Sequence, residues 1–209
     1  MIGIFGGTFD PVHFGHLRPA LEVLQGLSLQ QVRWIPSRQP PHRGAPDVSP
    51  EHRAAMVRLA IQGVDGFILD TRELDREGPS YMADSLRSLH KEFAEDSLCL
   101  LLGMDAFAGF TRWHQWQDIL GLAHVVVCHR PGDHVEIPGS CIKLMQEYGC
   151  ETAEQLRSKS AGCIYTYAVT QLEISATAIR EAYRNGRDAR FLLPDAVHAY
   201  IRQNGLYGQ

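Results

Sequence analysis

Met1-Ile2-Gly3-Ile4-Phe5-Gly6-Gly7-Thr8-Phe9-Asp10-Pro11-Val12-His13-Phe14-Gly15-His16 opens the chain. The apolar run Met1–Phe5 reads as a buried strand ending at Gly6-Gly7. Residues 11–26 then read as a helix, with Asp10 as its N-cap and Pro11 at its first position. A strand running through two glycines into a helix start lets the backbone approach a ligand closely, at a point that favours anions. His13 and His16, three apart, share a helix face or its first turn. Gly15 between them costs about 1 kcal/mol of helix propensity relative to Ala, so a helix that keeps it suits close packing against its backbone. Two imidazoles at a phosphate site can donate to non-bridging oxygens as charge builds on them. Taken alone, the same residues describe a turn with two surface histidines. A zinc pair lacks a third ligand, and neither Gly-x-x-x-x-Gly-Lys-Ser/Thr nor Gly-x-Gly-x-x-Gly occurs.

Outward from this stretch, strands and helices alternate. Strands are expected at Val32–Pro36, Gly66–Asp70, Ser97–Leu102, Ala123–Cys128 and Cys163–Val169. Helices are expected from Pro50 (capped by Ser49) to about Gln62, over Pro79–Phe93, after Asp105, over Gln115–Leu120, over 140–148, and over Ser175–Asn185 and Pro194–Gln203. Residues 133–160 are the least readable. This order predicts an α/β fold, a Rossmann-like, mostly parallel sheet flanked by helices with a small C-terminal helical region, in one domain spanning 1–209. In such sheets ligands bind beyond the carboxyl ends of the strands, which puts the expected site at Gly6-Gly7.

Composition narrows the function. The chain has 209 residues, 44% hydrophobic and 21% charged, the balance of an ordinary globular protein. No apolar run approaches the roughly 20 residues of a membrane helix, and the start shows no signal peptide, so neither a membrane nor export is expected. Cys99, Cys128, Cys141, Cys150 and Cys163 are odd in number and lack Cys-x-x-Cys spacing, which favours a reducing, cytoplasmic setting. A net charge of −4 argues against a nucleic-acid binder. Lys91, Lys143 and Lys159 are the only lysines among 20 basic residues, so phosphate handling must lean on Arg, His and backbone N–H groups.

A second constellation, Ile174-Ser175-Ala176-Thr177-Ala178-Ile179-Arg180, follows a strand and opens a helix. Ser175 suits the N-cap. Its hydroxyl, that of Thr177 and the free N–H groups of the first turn form an anion nest that Arg180 can reach. Alone, this too is an ordinary capped helix with a solvated Arg.

Together the two stretches resemble the nucleotidyltransferase superfamily with the His-x-Gly-His signature, and within it the bacterial nicotinate-nucleotide adenylyltransferases. The resemblance spans nearly the whole chain. Between the paired motifs lie Pro40-Pro41-His42-Arg43, Pro79-Ser80-Tyr81, Gly103-Met104-Asp105, Trp113 and Arg130-Pro131-Gly132 in the family's order. It implies transfer of the adenylyl group of ATP to nicotinate mononucleotide, by in-line attack without a covalent enzyme intermediate. His13, His16 and Arg180 would be catalytic. Gly6, Gly7, Thr8, Phe9, Gly103, Asp105, Arg130, Ile174, Ser175 and Thr177 would bind ATP, while His42, Arg43, Tyr81 and Trp113 would bind nicotinate mononucleotide. Mg²⁺ would ride on the nucleotide phosphates with no dedicated protein site, and self-association is left open. Met82 and Ala176 replace a Thr and a Ser common in the family, and Arg43 a Lys. Sister enzymes acting on phosphopantetheine or nicotinamide mononucleotide compete with this reading, as does a non-catalytic nucleotide sensor. A class I aminoacyl-tRNA synthetase is disfavoured because no Lys-Met-Ser-Lys-Ser loop occurs.

Overall fold

The computed structural model describes residues 1–41, 44–129, 137–170 and 172–208. Its elements run β1 (Ile2–Gly7), α1 (Phe14–Gly26), β2 (Gln31–Pro36), α2 (Pro50–Ile61), β3 (Phe67–Leu69), α3 (Met82–Glu92), β4 (Leu98–Gly103), α4 (Met104–Ala108), α5 (Trp116–Leu122), β5 (His124–His129), α6 (Gly139–Tyr148), β6 (Gly149–Cys150), α7 (Ala153–Arg157), β7 (Ile164–Ala168), α8 (Ala176–Arg184) and α9 (Asp195–Gln203). The strands form one sheet in the order β3-β2-β1-β4-β5-β7-β6. Every ladder among the described residues is parallel, so the expected "mostly parallel" sheet is wholly so here.

Burial on both faces explains the continuous apolar runs of the central strands. In β4 and β5, Cys99, Leu101, Val126 and Cys128 pack into the core on one face. Leu98, Leu100, Leu102, Val125 and Val127 pack into the core on the other. Residues of α1, α2, α8 and α9 belong to the first core, and residues of α3, α4, α5 and α6 to the second.

The strand order reverses between β1 and β4, because β2 and β3 lie on one side of β1 and β5 lies beyond β4. The β1–β2 ladder continues to Gly7↔Pro36. The β1–β4 ladder stops at Ile4↔Leu100, although both strands run three residues further. The two strands therefore part at the switch point, where ligands enter such sheets.

Several boundaries differ from the sequence reading. α1 begins at Phe14 with His13 as N-cap, not at Pro11 after Asp10. Asp10 and Pro11 form a turn where a helix was expected. α3 begins at Met82 rather than Pro79. The Ser80 hydroxyl accepts from the N–H groups of Arg38 and Gln39 instead of entering the helix (2.9 and 3.3 Å). Within 133–160, β6 and α7 carry no sequence signal strong enough to have announced them, being two and five residues long.

Candidate active site

A cleft of about 890 Å³ opens where β1 and β4 part. Its walls include Phe5, Gly6, Gly7, Thr8, Phe9 and His16 from the opening stretch, Leu101, Leu102, Gly103 and Asp105 from the end of β4 and the start of α4, and Ala176, Thr177 and Arg180 from α8. Tyr81, Met82, Arg112, Trp113 and His114 also line it. The fold thus brings the two motifs, far apart in sequence, to one cavity. Of the predicted residues, Ile174, Ser175 and His13 do not line it; His13 is buried and Ser175 is exposed. His42, Arg43 and Arg130 lie outside the described residues.

The histidine pair is built by the first turn of α1. The His13 and His16 rings lie with centroids 3.8 Å apart, tilted by 32° to one another. The His13 N–H donates to His16 Nδ1 at 3.3 Å. That bond requires a bare Nδ1, so a neutral His16 carries its proton on Nε2. Phe9 supports the His16 ring edge-on, with centroids 5.3 Å apart. His13 is 4% exposed. Burial lowers its pKa to about 4, so His13 is neutral near pH 7. Its Nδ1 is buried without a hydrogen-bond partner among the described residues.

Gly15 has the close-packing reason its position suggested. A Cβ there would lie 2.9 Å from His13 Cε1 and Nδ1 and 3.2 Å from the Ile174 carbonyl oxygen. The glycine therefore seats one motif against the other. At Gly103, the end of β4, a Cβ would lie 2.7 Å from Asp105 Oδ1.

At α8, the Ser175 hydroxyl caps the helix by accepting from the Ala178 N–H at 3.1 Å. Arg180 reaches across to the opening stretch. Its Nη1 donates to the Asp10 carbonyl at 2.7 Å and its Nη2 to Thr177 Oγ1 at 3.4 Å. Its Nε pairs with Asp47, which also holds Arg184 at 2.8 Å. Thus the guanidinium expected to meet phosphate is held by protein oxygens beside the cleft.

Several residues of this frame escaped the sequence reading. Asp10, read as a helix cap, is 6% exposed and accepts from the Tyr207 hydroxyl at 2.6 Å and the Asp47 N–H at 2.8 Å. Arg53, fully buried in α2, donates to the carbonyls of Thr8 (2.8 Å), Ser37 (2.6 Å), Arg38 (3.2 Å) and Val48 (3.3 Å). It pins the loops after β1 and β2 together. Glu73, 3% exposed, lines the cleft and accepts from the Ser85 hydroxyl at 2.6 Å, and burial raises its pKa. His114 stacks on Tyr81 with centroids 4.2 Å apart and covers one face of that ring. Its only sequence signal is its place beside Trp113.

The arrangement offers imidazole and guanidinium donors on one wall and aromatic surface on another, in a cavity of the size that holds a small ligand. The family model described as cytidylyltransferase-like matches residues 4–182. A Methylococcus capsulatus protein named "Probable nicotinate-nucleotide adenylyltransferase" is 48% identical over 100% of both chains. One of the same name from Dechloromonas aromatica is 50% identical over 99% of this chain and 97% of that one. Among solved structures, Plasmodium falciparum nicotinic acid mononucleotide adenylyltransferase complexed with NaAD shares the fold. It has a TM-score of 0.74 at 17% identity, over 99% of this chain and 96% of that one. The histidine pair, the capped α8 and the cleft between them are accordingly seated on a known nucleotidyltransferase fold, and the chain belongs to the nicotinate-nucleotide adenylyltransferase family.

Proposed function

We propose that the protein transfers the adenylyl group of ATP to nicotinate mononucleotide, giving nicotinate adenine dinucleotide and pyrophosphate. One observation carries the reading: His16, Thr177 and Arg180 share a single cleft with Tyr81 and Trp113. Phosphate donors and aromatic surface thus meet in one cavity. A phosphate oxygen of nicotinate mononucleotide attacks the α-phosphorus of ATP. The bond from that phosphorus to the oxygen bridging to the β-phosphate breaks, and pyrophosphate leaves. No enzyme nucleophile is needed, so catalysis is positioning and charge stabilisation.

In this reading ATP lies across Gly6, Gly7, Thr8 and Phe9, with Gly103 and Asp105 facing the nucleoside. His16 donates through Nε2 to the α-phosphate, and neutral His13 supports it from behind. Ser175, Thr177, the first-turn N–H groups of α8 and Arg180 receive the departing pyrophosphate. Trp113 and the uncovered face of Tyr81 flank the pyridine ring. His42 and Arg43 remain proposed contacts of nicotinate mononucleotide, and Arg130 and Ile174 of ATP.

Mg²⁺ fits this donor set as an ion carried by the nucleotide. Asp10 commits its two carboxylate oxygens to Tyr207 and the Asp47 N–H, and Asp47 pairs with Arg180 and Arg184. Phosphate oxygens and water would hold the ion, and its chemistry when bound is to neutralise phosphate charge.

A pyrophosphate-release assay with ATP and Mg²⁺ tests the proposal, comparing nicotinate mononucleotide, nicotinamide mononucleotide and phosphopantetheine. Turnover is expected with the first. Turnover with none would sink the proposal. A preference below about tenfold over the amide, about 1.4 kcal/mol, would sink the choice of nicotinate.

A further inference from the structure

Tyr207 stands two positions from the end of the sequence and 197 positions from the residue it binds. Its hydroxyl donates to Asp10 Oδ1 at 2.6 Å, and both residues are buried at 7% and 6% exposure. Burial and the Asp10 carboxylate push the phenol well above its ordinary range, so it is a donor at neutral pH. The backbone is fitted to this contact. Tyr207 has φ 61, a left-handed conformation uncommon for a bulky side chain. The preceding Leu206 N–H is tied to the Ile201 carbonyl at 3.0 Å, at the end of α9.

Asp10 passes the contact on. Its second carboxylate oxygen accepts from the Asp47 N–H at 2.8 Å, and its carbonyl accepts from Arg180 Nη1 at 2.7 Å. Asp10, Asp47 and Arg180 line the cleft. Tyr207 does not, and no substrate step in the proposed reaction uses it.

We propose that Tyr207 is a positioning residue for adenylyl transfer: it holds Asp10, and through Asp10 it sets the guanidinium of Arg180 and the segment bearing Asp47. Tyr207 thereby lets the C-terminal tail complete a site begun by the N-terminal strand. The inference rests on the proposed transfer reaction and on the role of Arg180 within it.

Tyr207→Phe removes one oxygen and keeps the ring. Its kcat is expected to fall about tenfold, the consequence of loosening a group that must sit within a fraction of an ångström. KM for nicotinate mononucleotide stays within about twofold, because Trp113 and Tyr81 are untouched, while Tm falls by a few degrees because Asp10 Oδ1 loses its buried donor. In an Arg180→Ala background the same change is expected to cost kcat nothing further, the non-additivity that marks one shared route. A Tyr207→Phe kcat within twofold of the parent overturns the inference. An undiminished tenfold loss in the Arg180→Ala background overturns the route through Arg180. A purely structural tyrosine would lower Tm and leave kcat alone. Hydrogen exchange of the 204–209 peptide in the unaltered protein tests the coupling without a variant. Saturating α,β-methylene ATP is expected to slow it severalfold, by the reciprocity of linked sites, and unchanged exchange overturns the inference. Absence of turnover by the unaltered protein would instead refute the proposed reaction. An active parent with an equally active Tyr207→Phe variant refutes this inference alone.

Discussion

Replacing Gly15 by Ala separates catalytic geometry from stability. The added Cβ would lie 2.9 Å from two atoms of the His13 ring, with the Ile174 carbonyl oxygen at 3.2 Å. A relaxed contact needs about 3.5 Å, so the ring must retreat by roughly half an ångström. His13 is 4% exposed and has little room to do so. Overpacking of this kind costs about 1–3 kcal/mol. Ala in place of Gly returns up to about 1 kcal/mol of helix propensity, and less in a first turn. The net destabilisation is therefore about 0–3 kcal/mol, a Tm shift of up to about 10 °C in a chain of this size. The His13–His16 pair shifts by the same half ångström, and misplacement on that scale costs about 10–100-fold in kcat. Pyrophosphate release measured beside Tm separates the two effects. A kcat within twofold of the parent would refute the argument that Gly15 seats the histidines.

Four further outcomes are expected. His16→Ala lowers kcat at least about 100-fold in the same assay, the scale of one lost transition-state donor; near-parental kcat would remove His16 from the chemistry. Stability should fall as pH drops from about 6.5 towards 4. In that window the unfolded chain protonates His13 while the folded chain does not, and the full difference is about 3 kcal/mol. Urea unfolding between pH 4 and 7 should show a shallower slope for His13→Asn than for the parent, and an equal slope would contradict the assignment. Arg53→Met leaves four carbonyls without their buried donor and should cost at least about 3 kcal/mol, lowering Tm by about 10 °C, so a parental melting curve would refute its role as a strut. Trp113→Ala should raise KM for nicotinate mononucleotide about tenfold and leave KM for ATP unchanged, the loss of one ring-stacking surface. An unchanged KM for the pyridine nucleotide would place that ring elsewhere.

The alternating pattern carried the fold because a two-sided parallel sheet has an unmistakable sequence. Leu98–Leu102 and Val125–Cys128 are apolar at every position because both faces are covered. Helix starts were less legible. Pro11 and Pro79 are residues that often open helices, and here each lies in the non-helical segment before one. Those segments are set by tertiary contacts, the Ser80 hydroxyl to the backbone just after β2 and Asp10 to Tyr207. The candidate site divides in the same way. Its motif residues are local in sequence and were readable. Arg53 looked like one more polar residue of a helix, and Tyr207 like the end of the chain. What gives each its part is a partner 45 or 197 residues away, which no local pattern records.

Direct in-line transfer makes a stereochemical demand that a double displacement through an adenylyl-enzyme does not share. Incubating the enzyme with nicotinate mononucleotide and a single diastereomer of ATP bearing sulfur on the α-phosphate, then determining the configuration of the thio-substituted nicotinate adenine dinucleotide, reads it out directly. One displacement at the α-phosphorus, with His16 and Arg180 only stabilising charge, predicts complete inversion. Retention would reveal an enzyme-bound adenylyl intermediate and contradict direct transfer.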